Sequence, residues 1–222
     1  MRSVFLESKN IFLRPLSKDD SFDNYVNWLN DQETTLFMGS GLYWDMDIIE
    51  LVGKEYYLKT LRPNDVTKRY IFWLNDPEVN RYLEVRFIKS TIKNTRKFVR
   101  SFDNKDKFIF GIYTLNKKQH IGNIALYTNN HNIAHFGYLI GEKDYWGTRA
   151  AVEAVTLLLD FAFNKLNIRK VWGGVYLNNI SSIFNCKKLG FVQEGRLRKH
   201  YTDHGNPTDS LIFGILREEW LS

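Results

Sequence analysis

Three side chains could take up a proton and one could give one away. His135 in "AHFGYLIG", His131 in "NNHN" and Glu84 in "YLEVRF" are the candidate bases, and a histidine has a suitable pKa without tuning. His135 could equally be a strand residue facing solvent. Glu84 with Arg86 could hold a hydroxyl or a phosphate, or form a surface ion pair. Cys186 could donate a proton in principle, or be a small buried apolar residue. A different chemistry is suggested by "YWGTRAAVEA", where a helix opens on Trp146, Gly147, Thr148, Arg149, Ala150 and Ala151. A helix N-terminus offers unpaired N–H groups and the positive end of its dipole, which suits a bound phosphate. Small residues let the backbone come close to it. No His/Cys/Asp/Glu spacing suggests a metal site, and no serine-nucleophile motif appears.

The elements that position these residues follow from periodicity. A strand is expected over about Glu55–Leu61 and a helix over about Asn64–Leu74. Ser90 is a plausible N-cap for a helix running to Phe102. Three β-rich runs, Phe108–Leu115, His120–Thr128 and Ile133–Ile140, are divided by the turns "NKKQ" and "NNHN". In the helix Ala150–Leu166, Ala151, Val155, Leu158, Leu159, Ala162 and Leu166 share one face. Glu153, Thr156, Asp160 and Asn164 lie on the other. The strand "RKVWGGVY" comes next, then a short helix in "NNISSIFNCKKLG" stopped by Gly190 as a left-handed cap. Two last strands flank "TDHGNP". The order is β-α-α-β-β-β-α-β-α-β-β. That is an α/β fold with a mixed, mostly antiparallel central sheet and helices on both faces.

One internal similarity bears on domain count. "LRPLSKDDSFDNYVNWLNDQE" begins at Leu13, and "LRPNDVTKRYIFWLNDPE" begins at Leu61. Both end in Trp-Leu-Asn-Asp with a Glu two residues on, around Trp28 and Trp73. Two copies do not make a solenoid. The reading is a partial strand-helix duplicate over residues 1–53 ahead of a complete domain over 54–222. The duplicate is expected to pack on the main domain, with a homodimer contact as one place for it.

Composition narrows the class. An apolar share of 44% is enough for a real core, and no apolar run is long enough to cross a bilayer. A single cysteine rules out an internal disulfide and suggests a reducing compartment, the cytoplasm. The net charge of +6 is scattered. It forms no nucleic-acid module, and suits a small polyphosphate ligand as well as it suits a solvated surface.

"YWGTRAAVEA", "NNISSIFNCKKLGF" and "EGRLRKHYTDHGNPTDSLIFGILREEW" together resemble the GNAT superfamily of acyl-CoA-dependent N-acetyltransferases, over roughly residues 54–220. The resemblance is to the branch acting on protein N-termini and nucleotide-linked amino sugars. It implies acetyl-CoA as co-substrate, with its pyrophosphate on the amides of residues 147–151. It implies that the pantetheine arm pairs with the edge at Tyr138-Leu139-Ile140, with Leu139 or Ile140 giving an N–H to the thioester carbonyl. Asn179 and Ser182 match the opening of the later helix, where Asn179 contacts pantetheine, serves as an N-cap, or does both. Two residues depart from the pattern. Arg149 replaces a second glycine: either it is strained at positive φ, or it sits in ordinary helix and reaches the phosphates, or it is a surface arginine that binds nothing. Cys186 replaces a tyrosine that reprotonates the departing thiolate. His135 stands where related sequences often carry an acid. The expected acceptor is a primary amine on a nucleotide-linked amino sugar used in surface polysaccharide, with a protein α-amine or a catalytically inactive acyl-CoA-binding module as alternatives.

Overall fold

Alternation along the strands dictates how the second half of the chain is layered. The computed structural model describes residues 48–222, together with two short strands nearer the start. The chain divides into two units, Met1–Asp47 and Ile48–Ser222. In the first, β1 (Leu6–Glu7) pairs antiparallel with β2 (Phe12–Leu13). The helix and Trp28 of the suspected duplicate lie outside the described residues.

The second unit starts at Ile48 and opens with the hairpin of β3 (Glu50–Val52) and β4 (Tyr56–Thr60). Then come α1 (Lys68–Asn75), α2 (Ile92–Arg100), and strands β5 (Lys107–Thr114), β6 (His120–Thr128) and β7 (Ile133–Ile140). The long helix α3 (Ala150–Asn164) leads to β8 (Lys170–Tyr176), α4 (Ile180–Lys188), β9 (Val192–Asp203), β10 (Asn206–Leu216) and the terminal α5 (Arg217–Leu221). The expected order holds, with β3 and α5 added. Both are too short for a periodicity to show.

The strands form one eight-stranded sheet in the order β3-β4-β5-β6-β7-β8-β10-β9, in which only β7 and β8 run parallel. Successive side chains alternate between faces. Phe108, Phe110, Ile112, Ile124, Leu126 and Phe136 pack against Val155, Leu158 and Leu159 of α3 and Cys186 of α4. Ile109, Ala125, Tyr127 and Leu139 pack against Tyr70, Trp73 and Leu74 of α1 and Val99 of α2. Helices thus cover both faces. Among the described residues no helix is long and apolar enough to cross a membrane.

Several local expectations are corrected. Thr91, not Ser90, caps α2, taking the Asn94 amide at 3.2 Å, and that helix ends at Arg100. Ser90 is buried and gives its amide to Asn75 Oδ1 at 3.0 Å. Helix α1 starts at Lys68 with Thr67 as its cap, because Pro63–Asp65 forms a separate 3₁₀ turn. Gly190 does end α4, at φ +83°.

Glu153, on the polar face of α3 as expected, is engaged by a remote turn. Its Oε1 accepts the amides of Lys54, Glu55 and Tyr56 at 2.5, 2.8 and 3.1 Å. One carboxylate on α3 therefore holds the turn between β3 and β4. Hydrogen bonds to a charged group stabilise more than neutral ones. Glu153→Ala is expected to lower stability by about 1–2 kcal/mol, read as a fall in the urea midpoint.

Candidate active site

The parallel pairing of β7 with β8 runs only from Ile133↔Lys170 to His135↔Trp172. β7 continues alongside β6 as far as Ile140, opposite Gly122. Beyond His135 the two parallel strands therefore separate, and one edge of β7 is left without a partner strand. Register decides which backbone groups line that edge. Gly141 gives its amide to Ile121 at 2.8 Å, so odd-numbered residues here point toward β6. A Cβ added at Gly122 would lie 2.1 Å from the Leu139 carbonyl oxygen, which agrees. The open edge thus carries the amides and carbonyls of Tyr138 and Ile140. Leu139, expected as an alternative donor, is corrected: its polar backbone faces β6, and its side chain packs in the α1/α2 core.

The loop after β7 folds back to the start of α3. Trp146 is 41% exposed, and its indole N–H donates to the Ile140 carbonyl at 2.8 Å. That bond ties the loop to the end of the open edge. Gly147 has φ +72°, a conformation in which other residues are strained. Arg149 is exposed, with φ −78° and ψ −4°, so its backbone is ordinary right-handed helix and carries no strain. The Ala150 amide donates to the Thr148 hydroxyl oxygen at 3.3 Å. Ala151 and Val152 follow in the first turn, and their amides find no acceptor among the described residues. The corner is open to solvent from Trp146 to Arg149.

This loop is held from the other face of the sheet by the residues of the repeated motif. Trp73 is 2% exposed and packs directly under Gly141; a Cβ there would lie 2.1 Å from its ring. Its indole N–H donates to Glu142 at 2.8 Å, and Arg69 reaches the same carboxylate at 2.5 Å. The neighbouring guanidinium holds the Glu142 carboxyl below the usual range. Lys143 pairs with Asp76 at 2.9 Å and with Glu78 at 2.5 Å.

Helix α4 forms the facing wall. Asn179 is its N-cap, accepting the Ser182 amide at 3.2 Å. The Ser182 hydroxyl lies 3.2 Å from the Tyr138 hydroxyl, and Asn185 Nδ2 donates to the same phenol oxygen at 3.2 Å. Cys186 is 5% exposed, and burial pushes its thiol up to about 11. That is the environment of a buried core cysteine, the second of the two readings of Cys186.

On the opposite face, the mouth of the split is floored by glycines. Gly137 on β7 has no atom within 4 Å of where a Cβ would be. Gly174 on β8 faces the Tyr201 hydroxyl and Ser210 Oγ, 3.1 and 3.3 Å from its own Cβ position. Ser210 is fully buried and its hydroxyl has no hydrogen-bond partner. Tyr176 stacks on Tyr201 with ring centres 3.9 Å apart. Its hydroxyl donates to Glu84 at 2.9 Å and receives Arg86 at 3.1 Å. Glu84 and Arg86 therefore meet at a tyrosine at the rim of the hollow. Nearby, Arg81 clasps Asp203 at 2.9 and 3.2 Å and holds that carboxyl down to about 2.

His135 borders the same hollow. It is half-buried against Trp172, ring centres 4.8 Å apart, and burial lowers its pKa below the ordinary 6.5. His131 is brought nowhere near these groups. It is exposed in the β6–β7 turn, at the opposite end of β7 from Ile140, and among the described residues its backbone is engaged by Asn129 and Arg169. Its placement corrects it as a candidate base. Sequence reasoning named Tyr138 only for its backbone edge, and missed Tyr176, Tyr201, Ser210 and Asn185. Alternation in "RKVWGGVY" puts Tyr176 on the face of Trp172, but nothing local shows that a strand from the C-terminal hairpin lays Tyr201 on it.

Comparison with known proteins bears on this arrangement. Residues 56–192 match the acetyltransferase (GNAT) domain family. The chain is 34% identical over 128 residues to "SPbeta prophage-derived uncharacterized N-acetyltransferase YokL" of Bacillus subtilis, covering 57% of this chain and 72% of that one. It is 28% identical over 136 residues to "Probable N-acetyltransferase YjcK" of the same organism, covering 58% and 75%. The structure of spermidine N-acetyltransferase from Vibrio cholerae with CoA and spermine superposes with a TM-score of 0.68 at 21% identity, over 77% of this chain and all of that one. With an open strand edge, a helix N-terminus facing solvent and a family match over more than half its length, the chain belongs to the GNAT acetyltransferases.

Proposed function

We propose that this acetyl-CoA-dependent enzyme transfers acetyl directly to the primary amine of a nucleotide-linked amino sugar. The pyrophosphate of acetyl-CoA sits on the first-turn amides of Ala151 and Val152, with Thr148 and Arg149 beside it. Pantetheine pairs with the open edge at Tyr138 and Ile140. The Ile140 amide is aimed where negative charge develops on the thioester oxygen, and one such donor contributes on the order of 10²–10³ in rate. The acetyl carbon then faces the hollow over Gly137 and Gly174. His135, whose cation burial disfavours, stands about 16 Å of strand from Ile140 and takes the amine proton through a chain of waters.

The hollow itself carries the acceptor reading. The half-buried Tyr201, stacked on the buried Tyr176, offers an aromatic surface to a sugar ring, while the Tyr201 hydroxyl and Glu84 offer mixed hydrogen-bonding groups. A polyamine calls for more acid than this. Asp203 is already committed to Arg81 and Asn178, which leaves Glu84 as the carboxylate at the rim. Next to Tyr201 the pairing of β9 with β10 slips, pushing out Arg198, Lys199 and His200. Lys199 is held at φ +51° with its amide on Asp209 at 2.8 Å. This exposed basic bulge suits the phosphates that a nucleotide-linked sugar brings and a peptide N-terminus lacks.

Thiol release measured with a nucleotide-linked amino sugar, the free amino sugar, spermidine and an N-terminal peptide tests the reading. The nucleotide-linked sugar is expected to give the highest kcat/KM. Arg198→Ala with Lys199→Ala is expected to lower it about tenfold for that substrate, at about 1 kcal/mol or less per exposed charge, and to leave the free sugar unaffected. A preference for spermidine or peptide would overturn the acceptor assignment.

A further inference from the structure

We propose that Arg86 is a positioning residue for the amine substrate, acting through Glu84. It fixes the Glu84 carboxylate at the rim of the hollow, and the free oxygen of that carboxylate accepts a hydrogen bond from the incoming amine. The role rests on the acetyl-transfer reading above. Glu84 and Arg86 stand in one short 3₁₀ turn, Glu84–Phe87. The link between them runs through the Tyr176 hydroxyl, which belongs to β8.

One planar group joins three segments. Arg86 Nη1 donates to the Arg81 carbonyl, within its own stretch of chain. Its Nη2 donates to the Tyr176 hydroxyl at 3.1 Å and to the Thr202 carbonyl on β9. In the sheet β10 runs between β8 and β9, so the guanidinium links two strands that do not pair. Its central carbon lies 4.6 Å from the centre of the Phe87 ring and 5.2 Å from that of Tyr176, which keeps the fork in place. A lysine ammonium has no such fork. The direction of the bonds follows from the donor inventory. A guanidinium only donates, and the Tyr176 hydroxyl has a single hydrogen. That hydrogen therefore goes to Glu84 Oε1, at 2.9 Å. Two bonds in series polarise each other, so the cation strengthens the hold on the carboxylate. Tyr176 is buried, whereas Glu84 is exposed. Among the described residues none donates to Glu84 Oε2. One carboxylate oxygen is thus anchored and the other is open to a ligand.

With an amine that the wild type accepts, Arg86→Lys is expected to raise KM for that amine about tenfold, the scale of one hydrogen bond to a charged group. The kcat is expected to stay within about threefold, the pattern of lost uniform binding. The Kd for CoA, from calorimetry, is expected to stay within about threefold. Tyr176→Phe removes the linking hydroxyl, leaves Arg86 its bonds to Arg81 and Thr202, and is expected to raise KM to the same extent. A merely structural arginine is separated from this role by a double variant. In a Glu84→Ala background, Arg86→Lys is expected to change KM by less than about twofold, because the group it positions is gone. The proposal is overturned if KM holds within about twofold in both single variants, if the Arg86→Lys effect adds in full to that of Glu84→Ala, or if CoA affinity falls as far as KM rises. A wild-type chain that binds CoA yet releases no thiol with any amine sinks the acetyl-transfer reading together with this role. An active wild type with Arg86→Lys and Tyr176→Phe both indifferent sinks the positioning role alone.

Discussion

Ala151→Glu is expected to abolish productive CoA binding while leaving the fold as stable as before, or slightly more so. The two effects have opposite signs because the same helix end serves both. A carboxylate in the first turn of α3 interacts favourably with the helix dipole, contributing about 0.3–1 kcal/mol to stability. It also sits beside an amide with no acceptor among the described residues, at the place where the pyrophosphate would lie. Two like charges about 4 Å apart near a protein surface repel by up to ~4 kcal/mol. Even half of that weakens binding about 30-fold. Calorimetric titration with CoA and a thermal melt of the same variant read the two quantities separately. A variant that melts early and binds poorly would show only that position 151 is structural. A variant that binds CoA as well as wild type would show that the anion site is elsewhere.

The second large effect is expected at a residue that touches no ligand. Gly141→Ala adds one methyl group 2.1 Å from the Trp73 ring. The indole cannot retreat. It is buried between Tyr70 and His120, with its N–H committed to Glu142. The methyl must instead displace the backbone at the point where β7 turns into the loop. Overpacking of this kind costs about 1–3 kcal/mol and sometimes more. Here about 3 kcal/mol is expected, seen as a lower urea midpoint with an unchanged slope. Affinity for CoA should fall further than stability does, because the displaced segment carries Trp146 and Gly147. Recovery of both in Gly141→Ala with Trp73→Phe, where the smaller ring leaves room, would confirm the contact as the cause.

These two sites differ in how far they were legible beforehand. The helix opening at Gly147–Ala151 reads from local sequence, since a glycine and small residues ahead of an amphipathic helix describe an exposed N-terminus wherever they occur. The backbone at Arg149 was left open between strain and ordinary helix, and the angles decide for the latter. The strands and their alternation were equally legible, because period two survives any tertiary arrangement. What sequence could not supply is contact across elements. "WLND" was visible as a repeated word, but its meaning lies in partners about 70 residues on. Trp73 and Asp76 grip Glu142 and Lys143 of the loop, and Asn75 ties α1 to Ser90. The same letters at residues 28–31 lie outside the described residues. Glu153 shows the same limit: helical spacing gives its face, but the β3–β4 turn that it binds is remote in sequence. Leu139 and Ile140 could be separated only once the register of β7 against β6 was known.

The parting of β7 from β8 turns a sheet into a partition with a single window. Helices α3 and α4 stand on one side of it, and the glycine-floored hollow opens on the other. On the proposed reading the donor arrives from the first side and the nucleophile from the second, so the two do not compete for the same space. Neither must leave before the other arrives, and the order in which they do so is free to be random.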